Sequence, residues 1–276
     1  MTGLAAAPLA LKAQEGAAKA PGRLKQCVTG GVFGRGMPFE DMAATAAKLG
    51  FYGFDLIGPD RWPVLKKYGL VPTMMPPPYG GTIPDGINER ANHARIEKTM
   101  REGLDLCAAN GVPNLITLSG SRRGMADADG ADHCVEFLNK VKAQAEDKGV
   151  TICLELLNSK VNHPDYMCDH TAWGVGVMKR VNSPRVKLLY DIYHMQIMEG
   201  DIARTIRDNI QYLAHFHTGG NPGRHEIDGT QELDYHFVAK AIADLGFEGQ
   251  IAHEYSPAPG RDPIQSLKEA MEICRV

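Results

Sequence analysis

The chain of 276 residues carries 30 Lys and Arg against 33 Asp and Glu, a formal net charge of −3, with 43% hydrophobic and 23% charged residues. That balance is ordinary for a globular protein and leaves no basic footprint for a nucleic acid or an anionic membrane. The length suits one (β/α) barrel better than two small domains, and no run approaches the ~18 apolar residues of a membrane span.

The N-terminal segment stands apart. Residues 4–11 are rich in Ala, Leu and Pro and lead into Lys12-Ala13-Gln14-Glu15. This resembles the tail of a secretory hydrophobic region with a small residue at a cleavage point, although no basic stretch precedes it. Two readings stand. Residues 1–13 are the remnant of an export signal on a periplasmic or exported protein, or they form a disordered leader on a cytoplasmic one. Residues 1–22 are therefore set apart, and residues 23–276 are assigned to a single barrel domain.

From residue 23 onward, short apolar runs alternate with helical patterns. Strands are expected at 24–28, 53–57, 70–74, 114–119, 150–156, 186–191, 212–217 and 250–254. Several are near-continuous apolar runs, as parallel strands buried on both faces require. Helices are expected at 38–49, 88–110, 131–148, 171–181, 201–209, 234–245 and 263–273, with a short one near 61–68 that carries Pro63. Gly50, Gly111 and Gly149 supply stop signals. Strand–helix alternation of this kind, with parallel right-handed crossovers, indicates an α/β (β/α)₈ TIM barrel.

A doubly wound sheet would usually place a phosphate loop after its first strand. The glycine-rich stretch there reads Gly31-x-x-Gly34-x-Gly36, not the G-x-G-x-x-G pattern of dinucleotide folds. The segment 72–92 contains Pro76-Pro77-Pro78-Tyr79-Gly80-Gly81. It is too long for a routine connection, so a lid over the mouth or a partner contact is expected. The six cysteines form no C-x-x-C pair and read as small buried hydrophobes.

Four polar residues sit at the ends of four successive strand runs: Glu155, Asp191, His217 and Glu254, spaced 36, 26 and 37 residues apart. Each interval fits a strand, a helix and their loops. In a barrel, side chains at the C-terminal strand ends converge on one mouth. Three carboxylates buried together would repel at great cost, and a divalent cation resolves that conflict. The oxygen-rich set favours Mn²⁺ or Mg²⁺, then Co²⁺, and ranks Zn²⁺ lower.

His194 lies three residues past Asp191, and Arg224 lies just past His217. Both are placed to donate hydrogen bonds or charge to substrate oxygens. His93, His133, His163 and His236 fall in helical or loop contexts and read as structural or solvated; His170, His215, His225 and His253 stay open as residues that orient ligands. A cation gripped by carboxylates can chelate a carbonyl and its neighbouring hydroxyl. Glu155 and Glu254 then flank the carbon that loses and regains a proton, which is the chemistry of aldose–ketose isomerisation and ketose epimerisation.

The stretches Leu154-Glu155-Leu156-Leu157-Asn158, Asp191-Ile192-Tyr193-His194, His215-Phe216-His217-Thr218-Gly219-Gly220-Asn221-Pro222-Gly223-Arg224-His225-Glu226 and Ile251-Ala252-His253-Glu254-Tyr255 carry a resemblance. The chain resembles the xylose isomerase-like TIM barrel superfamily, in its hydroxypyruvate isomerase and ketose 3-epimerase branch, over about residues 24–275. The resemblance implies that Glu155, Asp191, His217 and Glu254 hold the metal, that Glu155 and Glu254 are the acid/base pair, and that His194, Arg224 and Glu226 bind substrate. His217 stands where hydroxypyruvate isomerases often carry Gln. The expected partner is a small hydroxy-carbonyl compound, with neither nucleic acid nor membrane; homo-oligomerisation stays open. The expected reaction is hydroxypyruvate isomerisation. The alternatives are ketose 3-epimerisation, elimination from a 3-oxo-glycoside at the same site, a sugar-binding barrel without turnover and, last, an abasic-site endonuclease.

Overall fold

The computed structural model describes residues 22–77 and 82–276. The leader and residues 78–81 of the proline-rich segment, and with them those parts of the export and lid readings, lie outside the described residues. Among these, nine strands form one all-parallel sheet: β1 (Lys25–Val28), β2 (Gly53–Phe54), β3 (Val71–Pro72), β4 (Met74–Met75), β5 (Asn114–Thr117), β6 (Thr151–Leu156), β7 (Val186–Asp191), β8 (Leu213–Thr218) and β9 (Gln250–His253).

The sheet runs β3-β2-β1-β9-β8-β7-β6-β5-β4. Its two ends are halves of one stave, so the ring closes through residues 71–75. The expected strand 70–74 is broken because Pro72 has no N–H to offer β5. Pairing with β5 begins at Met74 instead. Thr73 serves both neighbours: its N–H donates to Phe54 O (3.0 Å) and its carbonyl accepts from Asn114 Nδ2 (2.9 Å). A (β/α)₈ barrel of eight staves results.

Helices pack around the ring: α1 (Phe39–Leu49), α2 (Trp62–Lys67), α3 (Arg90–Asn110), α4 (Asp127–Lys148), α5 (Thr171–Val181), α6 (Ile192–Met198), α7 (Ile202–Asn209), α8 (Tyr235–Asp244) and α9 (Pro263–Ile273). Helix α4 starts four residues before its expected position, and α6 was not expected at all. Helix α6 begins directly where β7 ends, capped by Asp191, whose Oδ1 accepts from the His194 N–H (3.1 Å). A polar N-cap of this kind satisfies one of the orphan amides of a helix start.

The main core lies between staves and helices, where Tyr190, Phe216 and Ile251 point outward into the helix layer; Phe216 meets Phe247 edge-on at 4.8 Å. A smaller apolar plug of Met74, Ile116, Cys153 and Leu189 fills the barrel interior. All six cysteines are buried and unpaired. Among the described residues no helix is long and apolar enough to cross a membrane.

Candidate metal centre and its cavity

Strand alternation places the site. Successive side chains point to opposite faces, so Leu154 and Leu156 join the outer core while Cys153 and Glu155 face the barrel axis. The same step sends Leu189 and Asp191 inward from β7, and His215 and His217 inward from β8. Asp191 and His217 are direct register partners. Glu254 lies one residue past β9, and its N–H extends the ladder to Thr218 O (2.9 Å). Cys153 and Leu189 thus belong to an apolar layer, with Glu155, Asp191 and His217 one layer nearer the mouth.

One ligand atom from each of Glu155, Asp191, His217 and Glu254 lies within 4.8 Å of the others. Nδ1 of His217 is 2.6 Å from Glu254 Oε2, 3.6 Å from Glu155 Oε1 and 3.8 Å from Asp191 Oδ2. That nitrogen is buried and has no well-formed hydrogen bond. Its other ring nitrogen, Nε2, meets Asp55 Oδ2 at 2.8 Å. An ionised carboxylate only accepts, so Nε2 carries a hydrogen. The lone pair of a neutral His217 then faces three carboxylates with no donor, unless a proton or a metal ion lies between. This donor set fits a hard divalent cation. The four residues brought together are those expected from the sequence.

Charge is unevenly distributed over these groups. Burial, reinforced by the charges of Glu254 and Asp191, pushes the Glu155 carboxyl up to about 7 against the pull of His217. Burial would also raise Glu254, but His217 and Arg224 outweigh it and lower that carboxyl. Burial disfavours an imidazolium at His217, yet Glu254, Asp55 and Glu155 together raise it well above the ordinary range.

Arg224 reaches in from the loop after β8, on a backbone with φ of 57°. Its Nη2 donates to Asp191 Oδ2 (2.5 Å) and Glu254 Oε2 (2.7 Å), and its Nε to Glu254 O (3.0 Å). The guanidinium lies over the Tyr193 ring at 5.0 Å. His194 is fully buried; its Nδ1 lies 3.2 Å from Asn158 N and its Nε2 lies 2.5 Å from Arg224 Nη1. Burial and the neighbouring Arg224 charge depress its pKa well below the usual imidazole value, which keeps it neutral.

A cavity of about 500 Å³ opens above the cluster, bordered by Glu155, Arg224 and Glu254 and walled by Thr29, Ile83, Leu157, His163, Tyr255 and Ser256. His163 is therefore a cavity residue, although its loop context suggested a structural or solvated one. Ile83 brings the described end of the proline-rich segment to the mouth. Glu226, expected to bind substrate, is not brought to the cavity. It is buried, both its oxygens accept from Ala258 N–H (3.2 and 3.1 Å), and Arg261 Nε lies 3.7 Å away. It ties the loop after β8 to the loop after β9.

Sequence reasoning missed Asp55, one residue past β2. It is fully buried, accepts from Thr73 Oγ1 (2.6 Å) and has His215 Nε2 3.2 Å from its Oδ2. Burial alone would raise its carboxyl, but His215 and His217 hold it far below the ordinary range. Its signal was an acid inside the expected strand 53–57; the strand stops at Phe54, which puts Asp55 at its C-terminal end, as Glu155 is near the end of β6.

A closed parallel barrel with a carboxylate–imidazole cluster at the C-terminal mouth of its staves defines the class of (β/α)₈ proteins that hold ligands at that face. Within that class, the profile of the xylose isomerase-like TIM barrels matches residues 43–275, and the chain belongs to this family. A putative hydroxypyruvate isomerase from Danio rerio is 28% identical over 175 residues, 58% of this chain and 62% of that protein. A 2-oxo-tetronate isomerase from Cupriavidus necator is 33% identical over 138 residues, 49% of this chain and 52% of that protein. The matches thus span between half and two thirds of these curated relatives.

Among solved structures, an AP endonuclease of family 2 from Brucella melitensis superimposes with a TM-score of 0.78 at 25% identity, covering 87% of this chain and 95% of that one. A D-psicose 3-epimerase with D-tagatose from Clostridium cellulolyticum gives 0.72 at 21% identity, covering 91% and 98%.

Proposed function

We propose that the protein is a divalent-metal-dependent isomerase of a small hydroxy-carbonyl compound, with hydroxypyruvate to tartronate semialdehyde as the specific reaction. The observation that carries this reading is the convergence of Glu155, Asp191, His217 and Glu254 within 4.8 Å beneath an open cavity. These four residues would hold the ion, with Mn²⁺ or Mg²⁺ best suited to the oxygen-rich set. When bound, the ion supplies Lewis acidity that lowers the cost of enediolate charge on adjacent substrate oxygens.

The remaining chemistry belongs to the chain. Glu155 and Glu254 border the cavity, and their surroundings push their proton affinities in opposite directions. Such a split suits one acid and one base. In hydroxypyruvate, one carboxylate removes a proton from the hydroxymethyl carbon. A proton returns to the former carbonyl carbon, and the hydroxyl proton moves between the two oxygens, so the product is an isomer with no net redox change. Arg224 presents a planar fork suited to a carboxylate, and neutral His194 sits beside it. The names of the two curated relatives, both isomerases of oxo-acids, support this substrate class.

Ketose 3-epimerisation and elimination from a 3-oxo-glycoside use the same proton abstraction, and the epimerase neighbour keeps the first in play. A sugar-binding barrel without turnover would need no acid/base pair. An abasic-site endonuclease is the least supported reading, because the chain's net charge is −3, despite the name of the endonuclease neighbour. The test is solvent-deuterium wash-in at the α-carbon with Mn²⁺ and hydroxypyruvate, tetruloses and ketohexoses. Exchange with one of them supports the reading. No exchange with any, while metal is bound, overturns it.

A further inference from the structure

We propose that Asp55 is a positioning residue of the cation site: it fixes the hydrogen of His217 on Nε2 and so presents the Nδ1 lone pair to the ion. The inference rests on the cation reading of the four-residue cluster and extends it to a wall of the barrel that supplies no ligand.

Asp55 comes from the stave of β2 and His217 from β8, 162 positions apart in sequence, and they meet at 2.8 Å across the barrel interior. Both are fully buried. Thr73 Oγ1 holds the other carboxylate oxygen at 2.6 Å, so the rotation of Asp55 is fixed from the closing stave. His215 lies 3.2 Å from the same Oδ2, but neither of its ring nitrogens makes a well-formed hydrogen bond. The directed bond therefore belongs to His217.

Asp55 caps no helix, and the interior plug nearby is apolar: Met74, Ile116, Cys153 and Leu189. A buried charge beside such a layer is costly to desolvate. What the carboxylate supplies is tautomer control. A neutral imidazole has one N–H and one lone pair. With the hydrogen on Nδ1, His217 would donate to Glu254, 2.6 Å away, and close the position to a cation. Asp55 disfavours that tautomer. Carboxylates that orient metal-binding histidines in this way are worth roughly 10–100-fold in metal affinity.

The decisive variant is Asp55→Leu, an apolar residue of comparable size. Titration calorimetry with Mn²⁺ should show affinity weakened about 10–100-fold, and the chelator-treated protein should also melt lower, because Thr73 Oγ1 and Nε2 of His217 lose their acceptor. A merely structural role predicts the lower melting temperature alone, with Mn²⁺ affinity unchanged. Should Asp55→Leu fail to fold, ¹⁵N NMR of the unmodified protein with Mg²⁺ decides. The proposal requires His217 protonated on Nε2, and a proton on Nδ1 would overturn it. If the unmodified protein binds neither Mn²⁺ nor Mg²⁺, the cation reading falls and takes this proposal with it. If it binds Mn²⁺ and Asp55→Leu binds equally well, this proposal alone falls.

Discussion

Arg224 and Asp191 are joined Nη2 to Oδ2 at 2.5 Å, and that same oxygen lies 3.8 Å from Nδ1 of His217. The guanidinium therefore holds an oxygen that the cation would use. His194 adds a constraint. Both its ring nitrogens face N–H groups, those of Asn158 and Arg224, yet a neutral imidazole offers one acceptor. One of those contacts must give way, and the arginine is the group that can swing into the cavity it borders. Replacing it should separate two properties. In Arg224→Ala, Mn²⁺ affinity rises several-fold, because a competing positive charge is gone, while kcat/KM falls by about 100-fold or more through loss of a bidentate contact to substrate. Calorimetry and initial rates check the two arms.

The glutamate pair makes a sharper demand. Glu155→Gln and Glu254→Gln each keep an oxygen in place but cannot carry the proton. Each should lower deuterium exchange by about 10²–10⁴-fold. Ligand affinity, measured with a non-exchanging substrate analogue in the presence of Mn²⁺, should fall far less. Equal losses in binding and exchange would speak against the acid/base assignment.

Stability should depend on pH in a direction set by the same groups. Glu155 binds its proton more tightly when folded, with its carboxyl near 7 instead of 4.5. Its contribution is therefore present below about 4.5 and is lost as pH rises through about 7. His217, also raised, adds to that loss at higher pH, whereas lowered Glu254 loses its contribution as pH falls below its unfolded value. The chelator-treated protein should then lose stability from mildly acid to alkaline pH, with a limiting slope of about 1.4 kcal/mol per pH unit from Glu155. Mn²⁺ should reverse the trend, with a larger rise in melting temperature at pH 8 than at pH 6 and protons released on binding. Thermal melts across this range, with and without metal, measure it.

Glu226 gives a contrasting expectation. Its two contacts to Ala258 N–H and its proximity to Arg261 are away from the ion cluster. Glu226→Ala should cost about 1–3 kcal/mol through an unsatisfied amide in the loop after β9, leave Mn²⁺ affinity within about twofold, and raise KM more than it lowers kcat. Denaturant melts, metal titration and steady-state kinetics separate these outcomes.

The barrel was legible where strands run long and apolar and end on one polar residue, as β6 and β7 do at Glu155 and Asp191. It was less legible where a stave is interrupted. Pro72 denies β5 a donor, so one expected strand is two short ones, and β2 stops at Phe54, so Asp55 fell inside the expected strand 53–57 instead of at its end. Helix α6 was hidden because no loop precedes it: Asp191 was read as a ligand, although its other oxygen starts a helix. The resemblance carried Glu226 to the substrate together with Arg224, but the tight loop between them sends one side chain to the mouth and the other to a neighbouring loop. The link from His217 to Asp55 depends on barrel closure, which brings β2 and β8 face to face and leaves no trace in local spacing.

The double duty of Asp191 has a wider reach. One of its oxygens anchors the first turn of α6 and the other looks into the mouth, so the depth of the cluster is dictated by where a strand hands over to a helix. A side chain one methylene longer could not satisfy both ends from the same backbone position. The geometry of the cluster is thereby vested in the rigid frame, and residues on the surrounding rim, such as Ile83 and His163, are free to vary without displacing the carboxylates and imidazole beneath them.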